Sequence, residues 1–293
     1  MAEFILSAFA DEASPHLEEQ IAALHRNGIP CIEPRSVDGG ILTKTEDELK
    51  EIRKKLDDAG IGLSALGSPI GKYKIEDPLE GHLEDFKKAI NACHILGTPR
   101  MRMFSFFLPK GSDPKAYRAE VIDRLGRLLE IAKKEDILLC HENESEIYGQ
   151  NPTEVADLYR SLPDLRGIFD GANYVREGQD PLAGFVATLP SLEYLHVKDA
   201  RASGDRPLVP AGMGDAQYEE VLRRVGEASD KTYFLTLEPH LFIFDAYKKI
   251  DNHKLETELE FASADEAFDA AANALKTILK KLGYHEENRV WKK

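Results

Sequence analysis

The sequence predicts a single (β/α)8 barrel, and three observations lead to this fold class. The 293-residue chain is 42% hydrophobic, which is enough for one large core, and α/β barrels of about 250 residues are commonly one domain. Short apolar runs alternate with stretches of helical period in eight units, as expected when helices connect parallel strands. Gly28, Gly60 and Gly97 close the first three helical stretches, where positive φ is favoured.

Each unit begins with a short apolar or β-branched run that predicts a strand. The predicted strands cover residues 4–9, 31–37, 62–66, 102–106, 137–142, 167–170, 194–197 and 233–238. The predicted helices cover residues 15–26, 46–59, 83–95, 116–134, 152–161, 181–189, 218–225 and 263–282. In the second helix, Leu49, Ile52 and Leu56 form one apolar stripe that covers a barrel strand. The barrel is therefore assigned to residues 1–283.

Two long connections and a charged tail complete the chain. The connections, residues 199–215 and 239–262, follow the last two strands, and long connections at that end of a barrel are usually binding loops. Residues 284–293 form a charged C-terminal tail that contains the only tryptophan, Trp291. We expect a partly ordered terminus. Docking of the tail onto a second subunit, which would make the protein a homo-oligomer, is the alternative.

Composition excludes several classes of function. The net charge of −14, from 52 acidic and 38 basic side chains, opposes binding to nucleic acid. No apolar stretch approaches the roughly 20 residues of a membrane span, and residues 1–6 lack the features of a leader. The three cysteines are far apart and form no close-spaced zinc or disulfide pattern. These features predict a soluble cytoplasmic protein with neither nucleic acid nor membrane as a partner.

The last four predicted strands each end on a side chain that can bind a metal ion. These four residues are Glu142, Asp170, His196 and Glu238. Because a barrel brings its strand ends around one axis, we expect the four side chains to meet at one face. Three carboxylates and one imidazole suit Mn²⁺, Mg²⁺ or Co²⁺ in an open coordination sphere, whereas structural zinc prefers thiolates. The sequence therefore predicts a divalent metal site, with manganese favoured and Mg²⁺, Co²⁺ and Zn²⁺ as alternatives.

Strand alternation predicts what surrounds these four side chains. The mainly uncharged layer one step below them contains Cys140, Ile168, Tyr194 and Thr236. By the same parity, Lys198 and His240 lean over the site. His141 faces the helix layer, as a packed residue or one that supports a ligand. An acidic cluster neutralised by Lys198, Arg102 or Arg35, without a metal ion, is the alternative.

Several short motifs spread over nearly the whole chain resemble one family. They are SAFADE at residues 7–12, GSPIGK at 67–72, RMFS at 102–105, HENE at 141–144, IYG at 147–149, FDGAN at 169–173, HVKD at 196–199 and LEPH at 237–240. The pattern resembles the sugar phosphate isomerase/epimerase group of xylose isomerase-like TIM barrels. This group includes ketose 3-epimerases, hydroxypyruvate isomerase and inosose dehydratase, with endonuclease IV as a distant relative.

The resemblance implies roles for the four strand-end residues. The family's metal ligands, Glu, Asp, His and Glu on strands five to eight, fall on these positions. The two glutamates, here Glu142 and Glu238, also act as acid and base on opposite faces of the substrate in the epimerases. Two positions depart from the family pattern: Asn173 replaces a histidine of many relatives, and Met213 replaces the acidic residue of a Gly-Glu-Gly-Asp loop. These departures leave the sugar and the reaction subtype open.

The function implied is a metal-dependent sugar isomerase or epimerase that acts on a keto-sugar, or a related hydroxy-carbonyl compound, through an enediolate. Lys198 or His240 polarises a substrate hydroxyl. Because the same enediolate can expel a β-substituent, an inosose dehydratase-like enzyme or a 3-keto-glycoside lyase is the alternative. A non-catalytic sugar-binding barrel is a further one. An endonuclease IV-like enzyme needs additional histidines and a basic face, which the nine histidines and the net charge do not supply.

The small-molecule carbohydrate substrate is expected to contact side chains at the same end of the barrel. The candidate substrate-binding residues are Glu33, Arg35, Lys72, Arg102, His141, Asn173 and His240. Arg35, Lys72 and Arg102 suit a carboxylate or a phosphate, although a buried structural ion pair explains each of them equally well. Glu33 is assigned a hydrogen bond to a substrate hydroxyl.

Overall fold

The structure is a computed structural model that describes residues 1–242 and 257–293. Its strands are β1 (Glu3–Ala8), β2 (Cys31–Ile32), β3 (Gly62–Leu63), β4 (Arg100–Met103), β5 (Leu138–Glu142), β6 (Arg166–Asp170), β7 (Leu192–Val197), β8 (Asp199–Ala200), β9 (Leu208–Val209), β10 (Thr232–Leu237), β11 (His285–Glu287) and β12 (Val290–Lys292). Its α-helices are α1 (Leu17–Arg26), α2 (Glu46–Asp58), α3 (Leu79–Leu96), α4 (Pro114–Lys134), α5 (Pro152–Ser161), α6 (Gly171–Arg176), α7 (Pro181–Thr188), α8 (Tyr218–Ala228) and α9 (Ala264–Lys281).

The strands form the predicted barrel. Parallel pairing runs in the order β1-β10-β7-β6-β5-β4, and β2 pairs in parallel with β3. A few backbone hydrogen bonds from the residues just after β2 and β3 connect this short pair to both of its neighbours. The Glu33 N–H donates to the Ala8 carbonyl at 3.0 Å, and the Leu66 N–H donates to the Arg100 carbonyl at 2.8 Å. The eight units of the sequence therefore surround one axis, and the predicted fold class is confirmed.

The β2 and β3 strands are much shorter than the predicted ranges 31–37 and 62–66. Pro34 lacks an N–H group, so the ladder cannot continue regularly beyond β2. Just beyond β3, the chain meets β4 at an isolated bridge between Leu66 and Met101, and the N–H groups of Ser64 and Gly67 donate to the carbonyls of Ile32 and Pro34. The residues after β2 and β3 remain beside their neighbouring strands, but their hydrogen bonds do not form a regular ladder.

The helices begin where the sequence supplies caps. Three of them have an Asp or Asn N-cap whose side chain accepts a backbone N–H, followed by proline: Asp113 before α4, Asn151 before α5 and Asp180 before α7. This combination satisfies a free donor and fixes the first φ angle. The predicted helix at 181–189 is α7. The short α6, which was not predicted, begins directly after Asp170, whose side chain caps it. None of the described helices combines the length and apolarity needed to cross a bilayer.

A buried layer lies inside the barrel below the strand ends. It contains Ala65, Cys140, Ile168 and Tyr194, and Thr236 is also fully buried. Cys140, Ile168, Tyr194 and Thr236 were predicted to point inward from strand alternation, and their burial agrees with that parity. By the same alternation, the residues two positions further along each strand also point to the barrel axis, one layer nearer the mouth.

The charged tail is more ordered than expected. Its two strands, β11 and β12, form an antiparallel hairpin, and Trp291 of β12 pairs with Phe4 of β1. Trp291 is 3% exposed, so its indole ring packs within the chain itself. Of the predicted connection 239–262, residues 243–256 lie outside the described residues.

Candidate metal site

Four side chains with metal-binding groups meet at the carboxyl ends of adjacent parallel strands. They are Glu142 at the end of β5, Asp170 at the end of β6, His196 in β7 and Glu238 directly after β10. One ligand atom from each lies within 4.8 Å of the others. All four residues are at most 3% exposed. The four predicted ligands are thus brought together in one water-poor cluster.

His196 lies at the centre of this cluster. Its Nδ1 atom is 3.0 Å from Glu142 Oε1 and 3.2 Å from Glu238 Oε2, and its Nε2 atom is 3.3 Å from Glu33 Oε2. Burial disfavours the imidazolium, but Glu142 and Glu33 outweigh burial and hold the pKa of His196 well above its usual value. The ring is therefore held between carboxylates on both of its nitrogen atoms.

Lys198 lies between the carboxylates of Asp170 and Glu238. Its Nζ atom lies 2.9 Å from Asp170 Oδ2 and 3.6 Å from Glu238 Oε2. Burial raises the pKa of Asp170 to about 6; Lys198 opposes this rise and Glu142 adds to it. Burial also acts to raise the pKa of Glu238, but Lys198 and His196 outweigh burial and lower it well below the usual value. Asp170 thus binds a proton more readily than Glu238 does.

Two buried arginines bind the glutamates. Arg102 Nη1 lies 3.3 Å from Glu142 Oε2 and 3.6 Å from Glu238 Oε1. Arg35 Nη1 lies 3.1 Å from Glu238 Oε1, and its Nε and Nη2 atoms form a bidentate pair with Asp11, both at 3.0 Å. Both arginines were predicted to bind substrate, with a buried structural ion pair as the alternative. Their contacts with carboxylates agree with that alternative.

Aromatic rings fix the positions of these arginines. The guanidinium carbons of Arg35 and Arg102 lie 4.4 Å and 4.7 Å from the centroid of the Phe9 ring. Arg102 also lies 5.2 Å from the centroid of Phe104. Such cation–π contacts restrict the guanidinium planes, so the arginines form a rigid wall of the site.

His240 connects Glu238 to a carboxylate that was not assigned a role from the sequence. Its Nε2 atom is 3.4 Å from Glu238 Oε1, and its Nδ1 atom is 2.8 Å from Glu12 Oε1. The His240 backbone N–H also donates to Glu12 Oε2. Asp11 and Glu12 follow the end of β1. They therefore show the same feature that singled out the four candidate ligands, which is a metal-binding side chain near the end of a strand.

Lys72 lies at the rim and is paired. Its Nζ atom is 3.1 Å from Glu144 Oε2 and 4.5 Å from the centroid of the Phe104 ring. Burial acts to raise the pKa of Glu144, but Lys72 outweighs burial and lowers it to about 2. The ion-pair alternative therefore describes Lys72 as well.

Asn173 supports Asp170. Its backbone N–H donates to Asp170 Oδ1 at 3.1 Å, and its side-chain amide donates to the Asn143 carbonyl at 2.8 Å. Asn143, which sequence reasoning did not single out, donates to the Asp170 carbonyl and accepts from the Asp170 N–H. Asn143 therefore fixes the backbone of Asp170, and Asn173 fixes its carboxylate.

Two predicted substrate-binding residues lie away from the mouth. His141 alternates with Glu142 along β5, so its ring faces α5, where it contacts Tyr159 and lies 2.9 Å from Ser105 Oγ. Burial lowers the pKa of His141 to about 3. Strand alternation turns its ring to the helix layer, so its position does not favour the predicted contact with substrate. Glu33 is fully buried behind His196, so its position does not favour contact with a substrate hydroxyl.

Asp199 organises the connection after β7. Its carboxylate accepts four backbone N–H groups at 2.8 to 3.1 Å, those of Ala200, Gly212, Gly214 and Ala216. Met213 lies within this connection and is 42% exposed. The residue that departs from the family pattern is therefore presented to solvent by a firmly anchored loop.

The donor set fits a divalent cation. Six buried carboxyl groups, those of Asp11, Glu12, Glu33, Glu142, Asp170 and Glu238, face three buried cations, those of Arg35, Arg102 and Lys198, and two buried histidines, His196 and His240, whose pKa values nearby carboxylates raise despite burial. The carboxyl groups still outnumber these positive groups. Lys198 lies near Asp170 Oδ2 and Glu238 Oε2, and His196 Nδ1 lies 3.2 Å from Glu238 Oε2. Buried negative charge without full compensation is costly, and a bound divalent ion would reduce this cost.

Comparison with known families identifies the group to which the chain belongs. The model of the xylose isomerase-like TIM barrel family matches residues 21–280. The chain is a xylose isomerase-like TIM barrel protein. No curated protein matches its sequence significantly.

Solved structures with the same fold cover nearly the whole xylose isomerase-like chain. The IOLI protein with a bound zinc atom is 15% identical, with a TM-score of 0.73 and coverage of 95% of this chain and 99% of that one. The probable 3-DHS dehydratase AsbF of Bacillus anthracis is 14% identical, with a TM-score of 0.71 and coverage of 94% and 99%. D-psicose 3-epimerase of Clostridium cellulolyticum H10 is 13% identical, with a TM-score of 0.66 and coverage of 95% and 99%. These similarities establish the fold, which an epimerase and a dehydratase share.

Proposed function

We propose that this protein is a sugar isomerase or epimerase that depends on a divalent metal ion, and that its substrate is a keto-sugar or a related hydroxy-carbonyl compound. The observation that carries the proposal is the buried group of Glu142, Asp170, His196 and Glu238, whose ligand atoms lie within 4.8 Å of one another. Its oxygen-rich donor set suits Mn²⁺, which we propose as the metal, with Mg²⁺, Co²⁺ and Zn²⁺ as alternatives.

The chemistry requires a base and an acid beside one substrate carbon. When bound, a divalent ion supplies Lewis-acid stabilisation of negative charge on a substrate oxygen. Lys198 and His196 keep the Glu238 carboxylate ionised, so Glu238 accepts the carbon-bound proton and the C–H electron pair moves into the enediolate. Glu142, entering with a proton, donates it to the opposite face, which gives the epimer. Return of the first proton from Glu238 to the neighbouring carbon, with the hydroxyl proton of the first carbon passing to the oxygen of the second, gives the isomer.

A dehydratase or lyase is the second candidate, and the position of Lys198 favours it. Its Nζ atom lies 3.6 Å from Glu238 Oε2, so a base and a proton donor are adjacent. Glu238 would take the proton from the carbon next to a carbonyl group. The C–O bond one carbon further would break, and the departing oxygen would take a proton from Lys198. Water or an alcohol then leaves.

The test begins with metal analysis of protein purified without chelator, followed by Mn²⁺ titration with thermal unfolding as the readout. The loaded protein is then incubated in D₂O with ketoses, 3-keto glycosides, inososes and hydroxy-keto acids, and NMR detects solvent deuterium in the product. Deuterium on carbon without loss of water supports the isomerase or epimerase, and an unsaturated product supports the dehydratase. Absence of both bound metal and thermal shift contradicts an enzyme of either kind.

Variants of the two glutamates test their roles. We expect Glu142→Gln and Glu238→Gln to fold but to lose deuterium exchange by a factor of about 10² to 10⁴. Glu193→Gln is the matched control, because Glu193 is a half-buried glutamate of β7 that pairs with Arg100 away from the site. Exchange that persists in both site variants would reject Glu142 and Glu238 as acid and base.

A further inference from the structure

Glu33 is a fully buried carboxylate directly behind the histidine of the metal site. Its Oε1 atom accepts a hydrogen bond from the Tyr194 hydroxyl at 2.9 Å, and its Oε2 atom lies 3.3 Å from His196 Nε2. Its backbone N–H donates to the Ala8 carbonyl, which fixes the residue at the junction of β1 and β2. Both carboxylate oxygens are therefore directed at side chains of β7.

The two nitrogens of His196 have different surroundings. Nδ1 faces Glu142 and Glu238, the two predicted ligands nearest to it, at 3.0 and 3.2 Å. Nε2 faces Glu33. The ring cannot easily exchange these faces, because Phe9 packs edge-on against it at 5.1 Å and Tyr194 at 5.4 Å between ring centroids.

A histidine that binds a metal ion with one nitrogen commonly donates its other N–H to a carboxylate, which sets the tautomer and strengthens the ligand. We propose that Glu33 is the positioning residue for His196: it holds the proton on Nε2 and leaves the Nδ1 lone pair to the divalent ion. This inference rests on the proposed metal site. It replaces the substrate-binding role predicted for Glu33, and it explains why a carboxylate is buried in the uncharged layer of the barrel.

Metal affinity tests this role without relying on activity. We expect Glu33→Gln to weaken Mn²⁺ binding by about 10- to 100-fold in calorimetric titration. Unfolding of the metal-free variant in urea is expected to require about as much denaturant as that of the parent protein, because the glutamine still accepts the Tyr194 hydrogen bond and Glu142 and Glu238 still pair with the His196 ring. A purely structural role predicts the opposite combination, which is a less stable protein with unchanged metal affinity.

Tyr194→Phe is the matched control. It removes the other hydrogen bond of Glu33 in the same buried layer but leaves the contact between Glu33 and His196 intact, so Mn²⁺ affinity is expected to change by less than about threefold. In addition, ¹⁵N NMR of the Zn²⁺-loaded parent protein is expected to show His196 protonated at Nε2 and bound to the metal through Nδ1.

The outcomes separate this inference from the proposed function. If the parent protein binds neither Mn²⁺ nor Zn²⁺, the proposed metal-dependent function fails. Three results in a parent protein that does bind metal would overturn the role of Glu33 and leave the metal site in place. The first is that Glu33→Gln binds Mn²⁺ as tightly as the parent, and the second is that Tyr194→Phe loses as much Mn²⁺ affinity as Glu33→Gln. The third result is an NMR assignment of the metal to Nε2 of His196.

Discussion

Arg102→Met removes a guanidinium that touches both proposed catalytic glutamates. The Arg102 side chain is 6% exposed, and Nη1 lies 3.3 Å from Glu142 and 3.6 Å from Glu238. At an effective dielectric constant of 20, each contact corresponds to about 5 kcal/mol of Coulomb attraction. Part of this is offset because the variant no longer desolvates a guanidinium, so we expect the metal-free protein to lose about 3–5 kcal/mol of unfolding free energy.

The same variant is expected to bind metal more tightly. The positive charge of Arg102 repels a divalent ion at the adjacent carboxylates, so its removal should tighten Mn²⁺ binding by about tenfold or more. Urea unfolding without metal and with saturating Mn²⁺ measures both effects. In the variant, Mn²⁺ should therefore restore a large part of the lost stability.

A control lies on the same strand. Arg100→Met removes a half-buried ion pair with Glu193 at the opposite end of β4, and we expect a loss of about 1 kcal/mol or less that Mn²⁺ does not change. The reasoning about Arg102 is refuted if Arg102→Met loses less than about 1 kcal/mol, or if saturating Mn²⁺ leaves its deficit as large as in the metal-free protein.

Two further predictions concern pH and the backbone. Because the pKa of Asp170 is raised to about 6 and that of His196 is raised as well, each must lose its proton when Mn²⁺ binds, so Mn²⁺ affinity should fall by at least about tenfold per unit below pH 6; equal affinities by calorimetry at pH 7.5 and 5 would contradict this. Gly71 has φ +89°, and a Cβ there would meet the Phe104 carbonyl at 2.0 Å. Gly71→Ala should therefore lose at least about 3 kcal/mol in urea unfolding, against about 1 kcal/mol for Gly111→Ala, which has open space; similar losses would contradict the steric argument.

The fold and the meeting of the four candidate ligands were predictable because both depend on local periodicity. Each of the eight barrel strands was recognisable from its apolar run, whereas β8, β9, β11 and β12 were not predicted. The last residues of strands five to eight had to meet at one end of a barrel. Strand alternation also predicted the buried layer beneath them and the orientation of His141 toward the helices. These properties follow from the two-residue repeat of a strand and need no knowledge of contacts distant in sequence.

Partner choice among charged side chains was not predictable in the same way. Arg35 pairs with Asp11 and Glu238, and no spacing in the sequence distinguishes that arrangement from an arginine available to substrate. The orientation of Glu33 toward His196 depends on the angle at which β2 meets β7 across the barrel. The early end of β2 reflects the missing N–H of Pro34, which a count of apolar residues does not register.

The short β2–β3 pair makes one quarter of the barrel locally less stable than the continuous sheet. Few hydrogen bonds connect it to β1 and β4, so local opening here should cost less than global unfolding, and its amides should exchange with solvent early. Glu33 and Arg35 lie in this quarter, whereas their partners His196 and Glu238 lie on or beside the continuous sheet. An ion bound through His196 Nδ1 would strengthen the contact between Glu33 and the opposite nitrogen of the ring. Binding of the ion would therefore stabilise the closed arrangement of this part of the barrel and couple it to occupancy of the site.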